Sequence, residues 1–326
     1  MAREDGGGEG DPTVHIDLYI ALAGLIVGCA VGLTGMGGGA LMTPVLVLLF
    51  HVQPVAAVAS DLVASLVMKP VGAAVHAGRG TVRWGLVAWL AIGSVPSAFL
   101  GVAFLKSIGN GPRIQSIVSV TLGAVLLVAV AALGLKMYID HRIGDRGVDD
   151  VLRVKKAPTL AIGASIGFIV GITSVGSGTL VIVLLLFLYP RLRGSQMVGT
   201  DLAQAIPMVG AAAVAHILFG DFKLGLTASI LVGSIPGVLI GATVSAYAPT
   251  LFLRGALSAV LLVSGLKLVN VPTTAIGIVL LLSVTGLLAA WVTVRVSGRT
   301  LREIAGEPGR KASTPAGLSL DTEEAA

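Results

Sequence analysis

Gly32-Leu33-Thr34-Gly35-Met36-Gly37-Gly38-Gly39 and Gly171-Ile172-Thr173-Ser174-Val175-Gly176-Ser177-Gly178 are two versions of one stretch, 139 positions apart. Further along the chain the offset becomes 140. Gly93-Ser94-Val95-Pro96 recurs as Gly233-Ser234-Ile235-Pro236, Asp61-Leu62 as Asp201-Leu202, Met68 as Met208, and His76 as His216. Gly80, Gly85 and Gly101 return as Gly220, Gly225 and Gly241. Rare residue types matching in register over this length mark a duplicated chain, not a bias of composition.

Each half contains the same parts. An apolar segment (18–33; 159–172) runs into the glycine-rich stretch, and a shorter apolar segment follows (40–50; 179–188). Three longer segments come next, 55–76, 84–105 and 114–135 in the first half and 195–217, 224–246 and 251–269 in the second. A last helix, 273–294, has no counterpart. Runs of about 17–25 apolar residues suffice to cross a ~30 Å hydrocarbon core as helices. Composition agrees: 55% of the residues are hydrophobic, 12% are charged, and mean hydropathy is +0.95, against about a quarter charged in a soluble domain. The expected fold is an all-α integral membrane protein of two repeats. Each repeat is a broken-helix pair plus three transmembrane helices, and one extra C-terminal helix follows. The divisions are 1–17 as a disordered leader, 18–138 and 158–270 as the repeats, 139–157 as a cytoplasmic linker, 271–296 as the extra helix, and 297–326 as a disordered cytoplasmic tail.

Orientation follows from the basic residues. Let the linker, with Lys136, Arg142, Arg146, Arg153, Lys155 and Lys156, be cytoplasmic, and let each broken pair return to the side it entered from. Then Arg79, Arg83, Arg191, Arg193, Arg254 and the tail from Arg295 to Lys311 also fall inside. Arg3, Lys106, Arg113, Lys223 and Lys267 are left opposite. This arrangement gives the halves inverted topologies, a recurrent plan of secondary transporters with the solute site near the midplane. Were residues 18–50 one long crossing, the repeats would be parallel.

The net charge of +5 therefore belongs to membrane topology, and no nucleic acid is an expected partner. The single cysteine, Cys29, excludes an intrachain disulfide and a multi-cysteine metal site. No Gly-Lys-Ser/Thr follows the glycines and no His-Glu-x-x-His spacing occurs, so neither a nucleotide loop nor a zinc hydrolase is indicated. No cofactor, metal or catalytic residue is expected. The partners are the lipid bilayer and a small anionic substrate, and the glycine faces are compatible with a monomer or a homodimer.

The chemistry is expected at the breaks and at the charges inside the helices. Glycine costs a helix roughly 1 kcal/mol relative to alanine, and unwound backbone at membrane depth is tolerated where it is buried in protein or lines a cavity. A helix restarting after such a break aims N–H groups and a positive dipole end into that space. The candidate substrate-binding residues are Thr34, Gly35, Gly37, Gly38 and Gly39 in the first half, and Thr173, Ser174, Gly176, Ser177 and Gly178 in the second. The alternative for the glycines is close helix packing. Lys69 joins the list as an intramembrane cation, with Val209 at its matched position. Its structural alternative is an ion pair with Asp61 or Asp201. Asp61, His76, Asp201 and His216 are candidates for coupling or gating, with helix capping as the alternative for the carboxylates and packing for the histidines. Pro96 and Pro236 are expected to kink their helices, with Ser94 and Ser234 bonding the freed carbonyls.

In these same stretches the sequence resembles the TauE/SafE family of membrane transporters, also described as sulfite exporters or toluene-sulfonate uptake permeases. The features that carry the resemblance are residues 32–44 (GLTGMGGGALMTP), Ser60-Asp61-Leu62 through Lys69-Pro70, and residues 76–82 (HAGRGTV). In the second half they are Val198-Gly199-Thr200-Asp201-Leu202, residues 216–222 (HILFGDF) and residues 233–241 (GSIPGVLIG). The likeness covers nearly all of residues 18–269. It implies an inner-membrane permease for sulfite, sulfoacetate, an organosulfonate or another organic anion, with neither substrate nor direction fixed. An anion channel and a membrane scaffold without transport are the competing readings.

Overall fold

The computed structural model describes residues 16–34, 38–109, 111–143, 154–244, 250–279, 281–283 and 285. Its elements, among the described residues, are helices and no strand. They are α1 (Leu18–Thr34), α2 (Gly39–Leu48), α3 (Pro54–Gly78), α4 (Trp84–Ser107), α5 (Pro112–Ile143), α6 (Lys156–Thr173), α7 (Thr179–Leu188), α8 (Gly194–Leu218), α9 (Leu224–Val244) and α10 (Thr250–Leu268). Residues 277–326 form a separate unit. Residues 1–15 of the leader, residues 144–153 of the linker, half of the extra C-terminal helix and the tail fall outside the described residues.

Five described helices are long and apolar enough to cross a membrane: α4, α6 and α8, residues 112–136 of α5 and residues 224–241 of α9. Their surfaces are inverted relative to a soluble bundle. Ile92, Leu100, Phe104, Val128, Val232 and Ile240 face outward, whereas Thr43, Asp61, Lys69, Asp201 and Gln204 are buried. Water would not tolerate so much exposed hydrocarbon, but lipid does, and helices leave no backbone donor unpaired in it. This is a multi-pass membrane protein.

Local chemistry sets the helix ends. Proline opens α3 and α5 at the first helical position, where its missing N–H costs no bond. Gly80 (φ 65°) and Gly220 (φ 77°) close α3 and α8 in left-handed conformation. At these ends Gly80 and Thr81 donate N–H to the carbonyls of Ala77 and His76, and Gly220 and Asp221 donate to those of Ile217 and His216. That is one C-terminal cap used twice. It explains the matched glycines and brings each histidine beside the residue five positions on.

Packing follows the repeat. α1 lies along α9 as α6 lies along α4; α3 meets α8, and α5 meets α10. The first two contacts are backbone on backbone. A Cβ on Gly233 would overlap the Ala21 carbonyl, one on Gly237 that of Leu25, and one on Gly241 that of Cys29. In the matching pair, Gly93 lies on Leu160, Gly163 on Leu90, Gly167 on Ser94 and Gly171 on Ala98. These are small-residue zippers at spacings of four, and residue numbers rise together along both, so the paired helices are parallel. In contrast, Gly199 meets His76 while Gly210 meets Leu66, and Gly123 meets Leu268 while Gly265 meets Leu127. α3 and α8 are therefore antiparallel, and so are α5 and α10.

The Gly-Ser-x-Pro motif thus acts differently from the sequence expectation. Its glycine and serine backbones form the close contact surface, and the serine hydroxyls do not repair proline kinks. Ser94 Oγ donates to Gln204 Oε1 at 3.3 Å, and Ser234 Oγ has no hydrogen-bond partner among the described residues.

The zippers give a paired expectation. Gly233→Ala forces α1 and α9 apart and should cost about 1–3 kcal/mol or more. Gly134→Ala, where an added Cβ meets nothing within 4 Å, should be neutral or stabilising by up to ~1 kcal/mol. Thermal unfolding of the two purified variants in detergent checks the contrast.

Candidate functional site

The two glycine-rich breaks meet each other. α6 ends at Ser174, which takes a left-handed conformation (φ 59°), and α7 restarts after Gly178 (φ 104°). α2 restarts at Gly39, whose backbone lies directly against the Ser174 carbonyl. A Cβ on Gly39 would overlap that oxygen and come within 3.0 Å of Asp61 Oδ2. The residues that open α2 and α7, Gly38 and Gly178, supply no side-chain cap of their own.

Around this junction α3 and α8 place their charges. Asp61 is fully buried, and its Oδ2 accepts from Ser174 Oγ at 2.6 Å and from Thr43 Oγ1 at 3.0 Å. The carboxylate of the first half is thus held by the break of the second. Among the described residues its other oxygen, Oδ1, has no partner, and neither do the buried hydroxyls of Ser60 and Ser65 on the same helix. Ser65 Oγ lies 3.8 Å from the point where a Cβ on Gly38 would sit. Lys69 also crosses between halves, donating from Nζ to Ser177 Oγ at 2.6 Å. Among the described residues it makes no direct ion pair with Asp61 or Asp201, although both carboxylates act on it electrostatically. Asp201 accepts the Gly178 backbone N–H and a 3.3 Å bond from Gln204 Nε2.

Neither aspartate caps its own helix. Each is the eighth residue of its helix, and each sits instead at the start of a restarted one, Asp61 by Gly39 and Asp201 by Gly178. Carboxylates there complement the positive end of the helix dipole.

The junction therefore gathers Gly38, Gly39, Asp61, Lys69, Ser174, Ser177, Gly178 and Asp201. Thr173 serves its own turn, donating to the carbonyls of Ile169 (2.8 Å) and Val175 (3.0 Å). Gly176 (φ 129°) packs among Ile169, Val170 and Leu180. Gly35, Gly37 and the side chain of Thr34 lie outside the described residues. The histidines stand apart. His76 Nδ1 is 3.0 Å from Thr81 Oγ1, and His216 is tied to Asp221 and to the Gly171 carbonyl. Sequence reasoning missed Thr43 and Gln204. Gln204 follows Asp201 at a helical spacing of three, which was a readable signal; Thr43 is one hydroxyl in an apolar run and gave none.

The sulfite exporter TauE/SafE family model matches residues 20–268, the region that contains all of these contacts. The chain belongs to the TauE/SafE family of membrane transporters. It is 40% identical over 256 residues to "Probable membrane transporter protein YjnA" of Bacillus subtilis strain 168, covering 78% of this chain and 100% of the relative. A second relative from that organism, "Probable membrane transporter protein YdhB", is 24% identical over 77% of this chain and 99% of its own length. No solved structure matches. Every junction residue named above lies inside the span shared by the TauE/SafE family.

The junction separates neighbouring glycines. Gly39→Ala should lower stability by about 1–3 kcal/mol or more, since backbone must move. Gly38→Ala should stay within about 1 kcal/mol of the parent, because the nearest atom to the new Cβ is the mobile Met68 Cε at 3.4 Å. Melting temperatures of the two variants test this.

Proposed function

We propose that this transporter is a secondary permease that moves a small anion, sulfite or an organosulfur or other organic anion, across the cytoplasmic membrane. Its site is the junction of the two breaks. The observation that carries the reading is the bond from Lys69 Nζ to Ser177 Oγ. It sets a buried ammonium from one half on the broken helix of the other; that ammonium comes from the helix whose Ser60, Asp61 and Ser65 carry polar atoms with no partner among the described residues. An ammonium in a low-dielectric site attracts an anion strongly, and intramembrane ionisable groups generally mark solute pathways. Asp61 and Asp201 place negative charge in the same space, so an incoming anion enters together with a proton or cation that offsets a carboxylate. Asp61, with one oxygen unpartnered, is the residue to receive it.

The reading includes inverted halves and a cytoplasmic C-terminus. It is supported by the antiparallel contacts of the matched helices α3 with α8 and α5 with α10, together with the basic residues of the linker. Parallel repeats would run those matched helices in the same direction.

Flux of labelled sulfite or methanesulfonate into proteoliposomes tests the function. Lys69→Met should weaken half-saturation by ~1–3 kcal/mol, about 5- to 150-fold, with little loss of thermal stability. Normal flux joined to a collapse of stability would make Lys69 a structural residue. Orientation is tested separately in a Cys29→Ala background. An impermeant thiol reagent added outside should label Leu218→Cys and spare Gly78→Cys, and equal labelling would end the inverted arrangement.

A further inference from the structure

Gln204 makes a bridge in the second half that the first half is built for but does not complete. Its Nε2 donates to Asp201 Oδ1 at 3.3 Å, and its Oε1 accepts from Ser94 Oγ at 3.3 Å. One amide thus joins the carboxylate of α8 to the hydroxyl of α4. At the offset of 140, Asp201 matches Asp61, Ser94 matches Ser234, and Gln204 matches Ala64. The surroundings match as well. α9 packs on α3 as α4 packs on α8, and the Ser234 backbone lies against Gly28 as the Ser94 backbone lies against Gly167. Asp61 stands at the restart by Gly39, Asp201 at the restart by Gly178.

Both ends of the bridge are therefore present in the first half, and the side chain between them stops at the Ala64 Cβ. Asp61, Ala64 and Ser234 are fully buried, and among the described residues Asp61 Oδ1 and Ser234 Oγ have no hydrogen-bond partner. Hydrocarbon pressed on both atoms would leave a carboxyl oxygen and a hydroxyl dry, a costly state. Folded proteins answer such atoms with a partner or with ordered water. Water is the closest substitute for a primary amide, because it donates to a carboxylate and accepts from a hydroxyl at once. It can also accept from the carboxyl when that group carries its proton, so the fit does not depend on the charge of Asp61.

The α3–α9 interface continues the pattern. Ser60 Oγ on α3 and Thr227 Oγ1 on α9 are buried and, among the described residues, unpartnered. Their matched residues are Thr200, which accepts the Arg83 N–H at 3.1 Å, and Val87, which has no polar side-chain atom. On the α4–α8 side the corresponding atoms are thus paired or replaced by hydrocarbon. Thr227 precedes Ser234 by seven positions, nearly one helix face and about 10 Å of rise. α3 and α9 both begin at the end of the bundle where α8 finishes. A cavity of about 510 Å³, walled there by Gln53, Val55, Gly220 and Asp221, lies at the same end.

We propose that the first half binds water where the second half has the Gln204 amide, at Asp61, Ala64 and Ser234, and that Ser60 and Thr227 extend this water toward the end of the bundle. Asp61 is then the carboxyl group that exchanges protons with solvent, while Asp201 is sealed by its amide. The water site stands on the matched geometry alone; its use in proton coupling rests on the transport reading.

The test supplies the amide. In the full chain purified in detergent, Ala64→Gln should raise the melting temperature by about 2–4 °C, the effect of one net hydrogen bond. Ala64→Met, of similar length without an amide, should lower it, and adding Ser234→Ala to Ala64→Gln should erase the gain. Ala64→Thr and Ala64→Val form a smaller pair, useful if the long side chains disturb folding, and Thr should be the better tolerated. If polar and apolar members destabilise alike in both pairs, no polar space exists and the site is overturned. Pulsed X-ray radiolysis reads the water directly. Leu62 is fully buried, so its oxidation requires water inside the bundle; it should be oxidised in the parent and spared in Ala64→Gln, and no oxidation in the parent overturns the proposal. A melting temperature raised by sodium but not potassium, and insensitive to both in Ala64→Gln, would overturn water by placing a metal cation there. In proteoliposomes whose parent protein moves protons with methanesulfonate, Ala64→Gln should abolish the proton movement, and unchanged movement overturns the role given to Asp61. Absence of methanesulfonate flux in the parent would sink the transport reading, with the melting and radiolysis outcomes still deciding the water site.

Discussion

The contact of Gly39 with the Ser174 carbonyl is the constraint on which the centre of this protein depends. Two helices stop within the apolar part of the chain and their successors restart, and at the restarts residues of the two halves lie against each other. Ser174 turns left-handed and gives its hydroxyl to Asp61, whose second donor, Thr43, comes from the restarted helix of the first half. Remove the close approach and Asp61 loses its Ser174 donor, keeping only Thr43, and a buried carboxylate short of donors costs more than any single packing contact. The α1–α9 and α4–α6 zippers extend the same principle outward. Each ties the first helix of one half to the fourth helix of the other, so neither half forms the centre alone.

That cross-linking explains which parts of the fold were legible in the sequence. Matched Gly-Ser-x-Pro motifs, His76 with His216, and Asp61 with Asp201 disclosed the duplication, because a repeat is a relation between sequence positions. Helix borders were also close. The exception is α5, which runs to Ile143 and not to the expected end near residue 135, since its last turns are polar and hydropathy marks only where lipid ends. What Gly93 and Gly233 do was not legible. A glycine that admits a neighbouring backbone and one that admits a solute look the same in one dimension, and the choice depends on which helix lies opposite.

The site was half legible for a related reason. Lys69 and the two breaks stood out by chemistry and by register, and the structure joins them. His76 and His216 shared the register but not the place: the C-terminal cap that binds the His216 carbonyl to the Asp221 N–H commits the ring to the loop. His76 follows Lys69 by seven positions, nearly the same helix face, but spacing fixes direction around an axis and says nothing of depth along it. Seven residues are about 10 Å of rise, enough to carry a side chain from the junction to the end of the bundle.

The charges finally constrain how such a centre can work. Lys69, Asp61 and Asp201 converge on the junction, and among the described residues no ion pair joins Lys69 to either carboxylate: Lys69 is engaged by Ser177, Asp61 by Ser174 and Thr43, Asp201 by Gln204 and Gly178. Hydrogen bonds of this kind hold a charge in position without cancelling it, so the electrostatic energy of the centre still depends on what else enters. A full ion pair between Lys69 and Asp61 would have been more self-sufficient and less responsive, since a solute would then need to break it. On the reading proposed above, separating the charges by hydroxyls leaves the Lys69 side chain to an anion, and Asp61 Oδ1, which has no partner among the described residues, to a proton or cation. Binding of either would then make binding of the other more favourable, which is the thermodynamic requirement for coupled transport.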